Sequence, residues 1–197
     1  GLGNIASSFA TYFDQPDGRI YGAASRSLEK ATAFTTKYNI PHAYGSYAEM
    51  LADPAIDIIY IATPHNYHYE GILASLQAGK HVFSEKAITM NRRELSTLKA
   101  LAAEKNLILA EAMTIYHMPL FAEIEKQQIQ QELGALKSIQ VSFGSYKALD
   151  ATNRFFNPNL AGGAMLDIGV YALAFARRML SATPHLVATQ WVPSASG

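Results

Sequence analysis

The amino-acid sequence predicts an α/β fold built on a parallel β-sheet. Short β-branched or aromatic runs alternate with longer segments whose apolar residues have helical spacing. This alternation is typical of βαβ units, in which a helix connects two parallel strands. One run, DIIYIA at residues 57–62, is almost continuously apolar. That pattern is expected of a strand that is covered on both faces of the sheet.

The elements of the first part follow in regular order. The predicted strands are residues 19–25, 57–62, 81–84 and 107–110. The predicted helices are residues 5–13, 28–38, 47–52, 69–78 and 91–105. Turn residues agree with these limits, because Gly79 follows one helix and Asp53 with Pro54 ends another.

The pattern changes after about residue 118, where we place a domain boundary between residues 1–118 and residues 119–197. In the second part we predict a helix over 120–132, an antiparallel strand over 136–146, a helix around Asp167 and a strand-like segment over 186–192. Partial alternation of apolar and polar residues favours the strand at 136–146.

Composition excludes several classes of protein. The chain is 49% hydrophobic and 16% charged, which provides a core and is atypical of disorder. Its 16 basic and 16 acidic residues cancel, so it lacks the basic surface of a nucleic-acid-binding protein. It contains no cysteine, and its histidines show no metal-ligand spacing. We find no signal peptide or membrane-length apolar run and expect a cytoplasmic protein without metal, membrane or nucleic-acid partners.

A glycine-rich turn opens the chain. Residues 1–6 (GLGNIA) match the pattern G-x-G-x-x-A and lead directly into a helical pattern. Such glycines let a pyrophosphate approach the backbone, and the helix N-terminus supplies free N–H groups and a favourable dipole. The motif normally follows a strand. We therefore expect the first strand of the sheet to be absent from this chain.

The end of the next predicted strand bears on the choice of dinucleotide. A preference for NAD usually appears there as Asp or Glu, which binds the ribose 2′-hydroxyl. Here the position holds Ser25, Arg26 and Ser27. A guanidinium and hydroxyls suit a 2′-phosphate, so the sequence favours NADP, with NAD as the alternative. The competing interpretation is that a serine caps the next helix and that Arg26 is a surface charge.

Polar residues also follow two other predicted strands. Glu85 and Lys86 come after residues 81–84, and Thr63, Pro64 and His65 come after residues 57–62. Ligands of open α/β sheets bind at the carboxyl ends of the strands, and a lysine there can act as an acid or base. The alternatives are a surface ion pair for Glu85 and Lys86, a turn residue for His65 and a helix N-terminal residue for His68.

The segment GGAMLDIGVYAL at residues 162–173 places one carboxylate, Asp167, one helical turn before one phenol, Tyr171. A buried acid is costly unless it has a partner. The two side chains are therefore either a structural pair or part of a proton-transfer site.

Taken together, these segments resemble the Gfo/Idh/MocA family of NAD(P)-dependent oxidoreductases. The matching segments are GLGNIA, ASRSLEKA, SYAEMLADPAIDIIYIATPHNYHYE, AGKHVFSEKAIT, EAM and RFFNPNLAGGAMLDIGVY. The ending DIGVY is similar to the branch that contains dimeric dihydrodiol dehydrogenase, NADP-dependent D-xylose dehydrogenase and glucose–fructose oxidoreductase. The chain departs from the family pattern at Ala87, which replaces a proline, and at Tyr116, which replaces an arginine.

The resemblance implies a Rossmann-type doubly wound sheet, followed by part of a second α+β domain whose sheet is mainly antiparallel. It implies that Lys86 lies at the nicotinamide, that Asp167 orients the substrate and that Tyr171 exchanges the substrate proton. It assigns cofactor binding to Gly1, Gly3, Asn4, Ile5, Ser25, Arg26, Thr63, Pro64, Asn66, His68, Glu85, Lys86 and Arg154.

The expected function is hydride transfer between NADP and a sugar, a polyol or a trans-dihydrodiol, with Lys86 and Tyr171 as the acid–base pair. The alternative is a non-catalytic NADP-binding redox sensor or regulatory protein on the same fold. We expect a homodimer, because the second domain of this family offers an open sheet face that usually finds a partner.

Overall fold

The computed structural model describes residues 1–129 and 134–190, and the chain divides into two compact units. The first is Gly1–Glu111 and the second is Ala112–Gly197. The boundary predicted at residue 118 lies a few residues after this division.

Parallel strands form the centre of the first unit. They are β1 (Gly22–Ala24), β2 (His42–Tyr44), β3 (Ile58–Ile61), β4 (His81–Ser84) and β5 (Leu109–Glu111). β1 pairs with β2, and β4 lies between β3 and β5 in a second sheet. The sequence did not predict β2, because a strand of 3 residues is too short to show alternation.

Helices connect these strands, as expected for βαβ units. They are α1 (Asn4–Tyr12), α2 (Leu28–Tyr38), α3 (Tyr47–Ala52), α4 (His68–Gln77) and α5 (Arg92–Glu104). Three of them have an N-cap residue whose side chain accepts the backbone N–H of the third helical residue. These N-cap residues are Ser27, Ser46 and Asn91. The predicted helix limits agree with these within one residue.

The core lies between β3, β4 and the helices α4 and α5. Ile59 and Val82 come from the strands, while Ile72, Leu76 and Leu98 come from the helices and are almost fully buried. Each such side chain stabilises the fold by about 1.5–3 kcal/mol through burial of apolar surface. The loops that follow β3 and β4 therefore start from strands that are packed in the core.

Helices also dominate the described part of the second unit. They are α6 (Pro119–Ile129) and α7 (Val170–Met179). A 3-10 helix at Thr114–His117 precedes α6, and a π-helix at Met165–Gly169 precedes α7. Phe121 and Phe175 bring α6 and α7 together edge to face at 5.4 Å. The Tyr116 hydroxyl donates to the carbonyl of Ala174 at 3.3 Å.

An ion pair links the same two helices. Arg178 donates to both carboxylate oxygens of Glu125. This hydrogen-bonded guanidinium holds the pKa of Glu125 below its usual range.

The strand predictions for the second unit are wrong where they can be compared. Residues 136–146 and 186–190 adopt no regular structure, while residues 191 and 192 lie outside the described residues. A strand requires a hydrogen-bonded neighbour, and within the described residues of this unit no segment pairs with either of them. The helix predicted over 120–132 is described as far as Ile129, and its remainder also lies outside.

One helical stretch is more apolar than the sequence survey indicated. The stretch Pro158–Met179 has 22 residues, and an 18-residue window within it has a mean hydropathy of 1.4. By length and composition alone, the stretch could cross a membrane. The core helix of a soluble protein meets the same criterion. The stretch is also irregular, because Ala161 and Gly163 adopt positive φ angles of 57° and 114°. Its length and composition therefore assign no membrane position.

Replacement of Leu76 by Ala will lower the free energy of unfolding of the first unit by about 2–5 kcal/mol, because it leaves a cavity at a fully buried position. Urea denaturation followed by circular dichroism measures the change. Leu28, which is 56% exposed, is the matched control, and its replacement by Ala will have a much smaller effect. Equal losses for the two variants would contradict the described core.

Candidate active site

The turn at Gly1 lies against the carboxyl end of β3. A Cβ atom at Gly1 would stand 2.8 Å from the Ala62 carbonyl oxygen and 3.3 Å from the Thr63 Cα. Any larger residue would push the turn away from the strand. Glycine at this position is therefore a packing requirement, and it brings the start of α1 beside the loop that follows β3.

The N-terminus of α1 is open to a ligand. Gly3 is the N-cap residue and supplies no side-chain acceptor, and a Cβ placed there would meet no atom within 4 Å. Asn4 and Ile5 form the exposed first turn. The unpaired N–H groups and the dipole of such a helix start suit an anion. The geometry fits the pyrophosphate group of a dinucleotide.

Thr63 supplies a second observation in favour of a bound ligand. Its hydroxyl oxygen is buried and has no hydrogen-bond partner among the described residues. A buried polar atom without a partner costs about 1–3 kcal/mol. Because Thr63 lies directly beside Gly1, a polar group of a dinucleotide placed here would offset that cost.

The loop after β3 continues as a tight turn. Pro64 precedes a 3-10 turn at His65–Tyr67, which contains the half-buried Asn66, and Tyr67 donates its N–H to the Pro64 carbonyl at 2.9 Å. His68 then begins α4 and is fully buried. Its ring nitrogens lie against backbone carbonyl oxygens, so the structure places this side chain inside the loop and not on its surface.

The loop after β1 has the features of the competing interpretation, in which a serine caps α2 and Arg26 is a surface charge. Ser27 caps α2 by accepting the N–H of Lys30, and Ser25 accepts the N–H of Ser27 at 3.3 Å. Arg26 is exposed between these two serines. The assignment of Ser25 and Arg26 to a 2′-phosphate stays a prediction.

The segment after β4 carries Glu85 and Lys86. Glu85 donates its N–H to the Ile61 carbonyl at 2.9 Å, which ties this segment to the end of β3. Lys86 is half-buried, and the peptide bond between Lys86 and Ala87 is cis. Ile88 donates its N–H to the Glu111 carboxylate at 2.8 Å.

Tyr60 belongs to this site, although sequence reasoning missed it. Its hydroxyl donates to Glu85 Oε1 at 2.7 Å, and its ring stacks on Phe9 of α1 at 4.2 Å. Burial raises the pKa of Tyr60, and the hydrogen bond to the Glu85 carboxylate raises it further. The available signal was a single phenol within an otherwise apolar strand. Tyr60 fixes the orientation of Glu85.

The remaining predicted residues lie in the second unit. Asp167 lies in the π-helix and Tyr171 near the start of α7, and both are half-buried. Arg154 is exposed, with its guanidinium 4.4 Å from the centre of the Phe155 ring. Tyr171 borders an open cavity of about 460 Å³, whose other walls include Ile115, Val141, Phe143 and Phe175.

The structure brings most of the predicted residues into two sets, whereas Ser25 and Arg26 lie in the loop after β1, whose strand belongs to the other sheet of the first unit. The first unit brings together the glycine turn, the loop from Thr63 to His68 and the Glu85–Lys86 segment. The second unit contains Arg154, Asp167 and Tyr171. The catalytic roles assigned to Lys86, Asp167 and Tyr171 remain predictions. Within residues 1–129 and 134–190, no cluster of His, Asp and Glu side chains could hold a metal ion.

Comparison with known protein families decides the classification. Residues 1–113 match the oxidoreductase family with an NAD-binding Rossmann fold, and residues 121–194 match the Gfo/Idh/MocA C-terminal domain. The chain belongs to the Gfo/Idh/MocA family. The family and the Rossmann fold predicted from the sequence are both confirmed. As in other members, the first unit is an NAD(P)-binding domain by fold.

Individual Gfo/Idh/MocA relatives agree with the predicted branch. A trans-1,2-dihydrobenzene-1,2-diol dehydrogenase from Xenopus tropicalis is 39% identical over 161 residues, which cover 81% of this chain and 48% of that protein. D-xylose 1-dehydrogenase (NADP(+)) from Hypocrea jecorina is 37% identical over 164 residues, covering 78% and 42%. The chain spans about half the length of these curated relatives.

A solved structure of the same architecture gives a similar result. KijD10, a 3-ketoreductase from Actinomadura kijaniata in complex with NADP and TDP-benzene, superposes with a TM-score of 0.79 at 29% identity. The match covers 89% of this chain and 54% of that one.

Replacement of Tyr60 by Phe will not reduce the tyrosinate absorbance that appears as the pH rises to about 10, where an ordinary tyrosine is half ionised. Tyr60 will not contribute there, because burial and Glu85 raise its pKa. The control is Tyr38→Phe, since hydrogen bonds with Ser7 and Lys37 lower the pKa of Tyr38. Its replacement will remove one tyrosine's share in an ultraviolet titration. An equal loss in both variants would contradict the Tyr60–Glu85 contact.

Proposed function

We propose that the protein is an NADP-dependent oxidoreductase that transfers a hydride between the nicotinamide and a small carbonyl or hydroxyl substrate. The observation that carries the proposal is the crevice at the carboxyl end of β3. There Gly1 packs on the strand, α1 presents an uncapped N-terminus, and the buried hydroxyl of Thr63 has no partner among the described residues. Lys86 follows the neighbouring strand.

The residues around β1 support NADP over NAD. The chain has Arg26 where an NAD-specific protein usually has a carboxylate, and neither Ser25 nor Ser27 carries a charge that would repel a phosphate. Two relatives support the same choice, since one is an NADP(+)-dependent xylose dehydrogenase and the other was solved with NADP.

Residues from several loops of the first unit are suited to hold the dinucleotide. Gly1, Gly3, Asn4 and Ile5 would receive the pyrophosphate, and Ser25 and Arg26 the 2′-phosphate. Thr63, Pro64 and Asn66 would line the loop beside it, while Glu85, held by Tyr60, would bind a ribose hydroxyl. The family resemblance also assigns Arg154 to cofactor binding.

The proposed chemistry assigns a separate task to each charged or phenolic side chain. Bound NADP supplies the hydride chemistry. The Tyr171 hydroxyl gives a proton to the substrate oxygen in reduction and takes it back in oxidation. The ammonium of Lys86 stabilises the phenolate that remains, and Asp167 orients the substrate. A sugar, a polyol or a trans-dihydrodiol offers the hydroxyl that this arrangement requires.

The activities of two similar proteins support that substrate range. These proteins are dehydrogenases of a dihydrodiol and of D-xylose, both of which are small molecules with vicinal hydroxyl groups. The second candidate function is an NADP-binding redox sensor. The test is to titrate the full-length protein with NADPH and then add aldoses, dicarbonyls and dihydrodiols. Tight binding without turnover on any of them would favour the sensor.

Tyr171→Phe will reduce turnover by about 10²–10⁴-fold, because the proton donor is lost. Lys86→Ala will cause a loss of similar size, since the phenolate is no longer stabilised. Both variants will bind NADPH in a fluorescence titration. Steady-state rates at the nicotinamide absorbance measure the effect.

The matched control for Tyr171 is Tyr146→Phe, which removes a hydroxyl from a residue that is 91% exposed. It will retain the rate of the unmodified protein. Full turnover in Tyr171→Phe or in Lys86→Ala would show that the assigned acid–base pair is wrong.

Arg26→Ala will weaken NADPH binding by about tenfold or more, because a charge-assisted hydrogen bond contributes about 1.5–3 kcal/mol. Affinity for NADH, which lacks the 2′-phosphate, will change little. Arg19→Ala serves as the control. It removes an exposed positive charge that precedes the first residue of β1, whereas Arg26 follows the last. Paired titrations of each variant with NADPH and NADH provide the comparison. An equal effect of Arg26→Ala on both nucleotides would contradict the 2′-phosphate assignment.

A further inference from the structure

His68 occupies an unusual position for an ionisable side chain. It is the first residue of α4 and its exposed fraction is 0%. Its Nδ1 atom lies 2.8 Å from the carbonyl oxygen of Ala87, and its Nε2 atom lies 2.8 Å from the carbonyl oxygen of Thr63. Both ring nitrogens are therefore used within the protein, at contacts 19 and 5 residues away along the chain.

The two carbonyl groups belong to the two loops of the candidate site. Thr63 lies in the loop after β3, whereas Ala87 directly follows Lys86 in the segment after β4. A carbonyl oxygen only accepts hydrogen bonds, so each contact requires an N–H on the ring. A neutral imidazole donates to one of the two carbonyls, and a protonated imidazole donates to both. In either form the ring lies between the two loops and donates at least one hydrogen bond to them.

We propose that His68 is a positioning residue that fixes the Lys86 segment relative to the cofactor loop at Thr63. This inference rests on the proposed function, because the reaction it serves is the one assigned to Lys86. His68 contacts no reacting atom and acts through the backbone at Ala87. The Glu111 carboxylate holds the other side of Ala87 by accepting the N–H of Ile88 at 2.8 Å. The two contacts together restrain the backbone immediately after the lysine.

Other buried polar residues of α4 do not have this geometry. Ser75 is 2% exposed on the same helix, but its hydroxyl donates to the Gly71 carbonyl of α4 itself at 2.7 Å. Loss of that bond affects the helix and neither of the loops. Ser75→Ala is therefore a matched control for the removal of a buried hydrogen-bonding group.

The first experiment compares turnover in the full-length protein. His68→Leu will lower kcat by about 10- to 100-fold, because a displaced catalytic group loses its alignment. His68→Gln keeps an N–H donor and will recover part of the loss. Ser75→Ala will lower the thermal midpoint while kcat stays within about twofold of the unmodified protein. Unchanged kcat in His68→Leu, or an equal drop in Ser75→Ala, would overturn the proposal.

A double-mutant comparison tests whether His68 acts through Lys86. If it does, His68→Leu combined with Lys86→Ala will be no slower than Lys86→Ala alone, since residues that act as a unit are not additive. A multiplicative loss would overturn the proposal, because it would show that His68 contributes to turnover independently of Lys86.

A measurement that requires no activity separates this proposal from the proposed function. Amide hydrogen exchange at Ile88 will be faster in His68→Leu than in the unmodified protein and unchanged in Ser75→Ala. If the unmodified protein showed no turnover on any substrate, the proposed function would fail, and exchange at Ile88 would still decide whether His68 holds the segment. Unchanged exchange at Ile88 in His68→Leu would overturn the positioning role.

Discussion

The parallel register of β3 and β4 is the constraint on which the candidate site depends. Ile61 of β3 pairs with Ser84 of β4, so the two strands end at the same level. The loop that begins near Thr63 and the segment that carries Glu85 and Lys86 therefore leave the sheet side by side. Glu85 extends the pairing by donating its N–H to the Ile61 carbonyl. A shift of the strand pairing by one residue would move each side chain of the shifted strand to the opposite face of the sheet.

Polar groups inside this unit are satisfied mostly by backbone carbonyls. His68 reaches two loops, and the nearly buried Lys80 donates to the carbonyls of Asp53 and Ile56, each at 2.7 Å. Such contacts cost little when complete and much when one partner is lost. They join the segments before and after β3 to the folded core. The buried hydroxyl of Thr63 has no hydrogen-bond partner among the described residues, and Thr63 lies against Gly1 of the glycine turn.

Local sequence signals predicted the helices and the glycine turn well. Caps such as Ser27, Ser46 and Asn91 act on N–H groups a few residues away, so a short window contains the information. The glycine turn was likewise predicted from one short motif, whereas the approach of Gly1 to the end of β3 was not predicted. The family assignment followed from several such segments in a fixed order.

Contacts between distant residues were beyond sequence reasoning. The Tyr60–Glu85 bond spans 25 positions and the His68–Ala87 contact spans 19. Neither leaves a periodic pattern, because each joins one side chain to a group that another element happens to place nearby. The strand predicted at 136–146 failed for a related reason, since alternation indicates an amphipathic segment but does not supply a pairing partner.

Hydrogen exchange of the full-length protein with and without saturating NADPH tests the central claim most directly. The account predicts slower amide exchange at three places in the first unit: the start of α1, the loop at residues 62–67 and the segment at residues 85–88. These are the groups that the register of β3 and β4 brings together. Slower exchange confined to other segments, or no change at a saturating concentration, would contradict the assignment of the cofactor to this crevice.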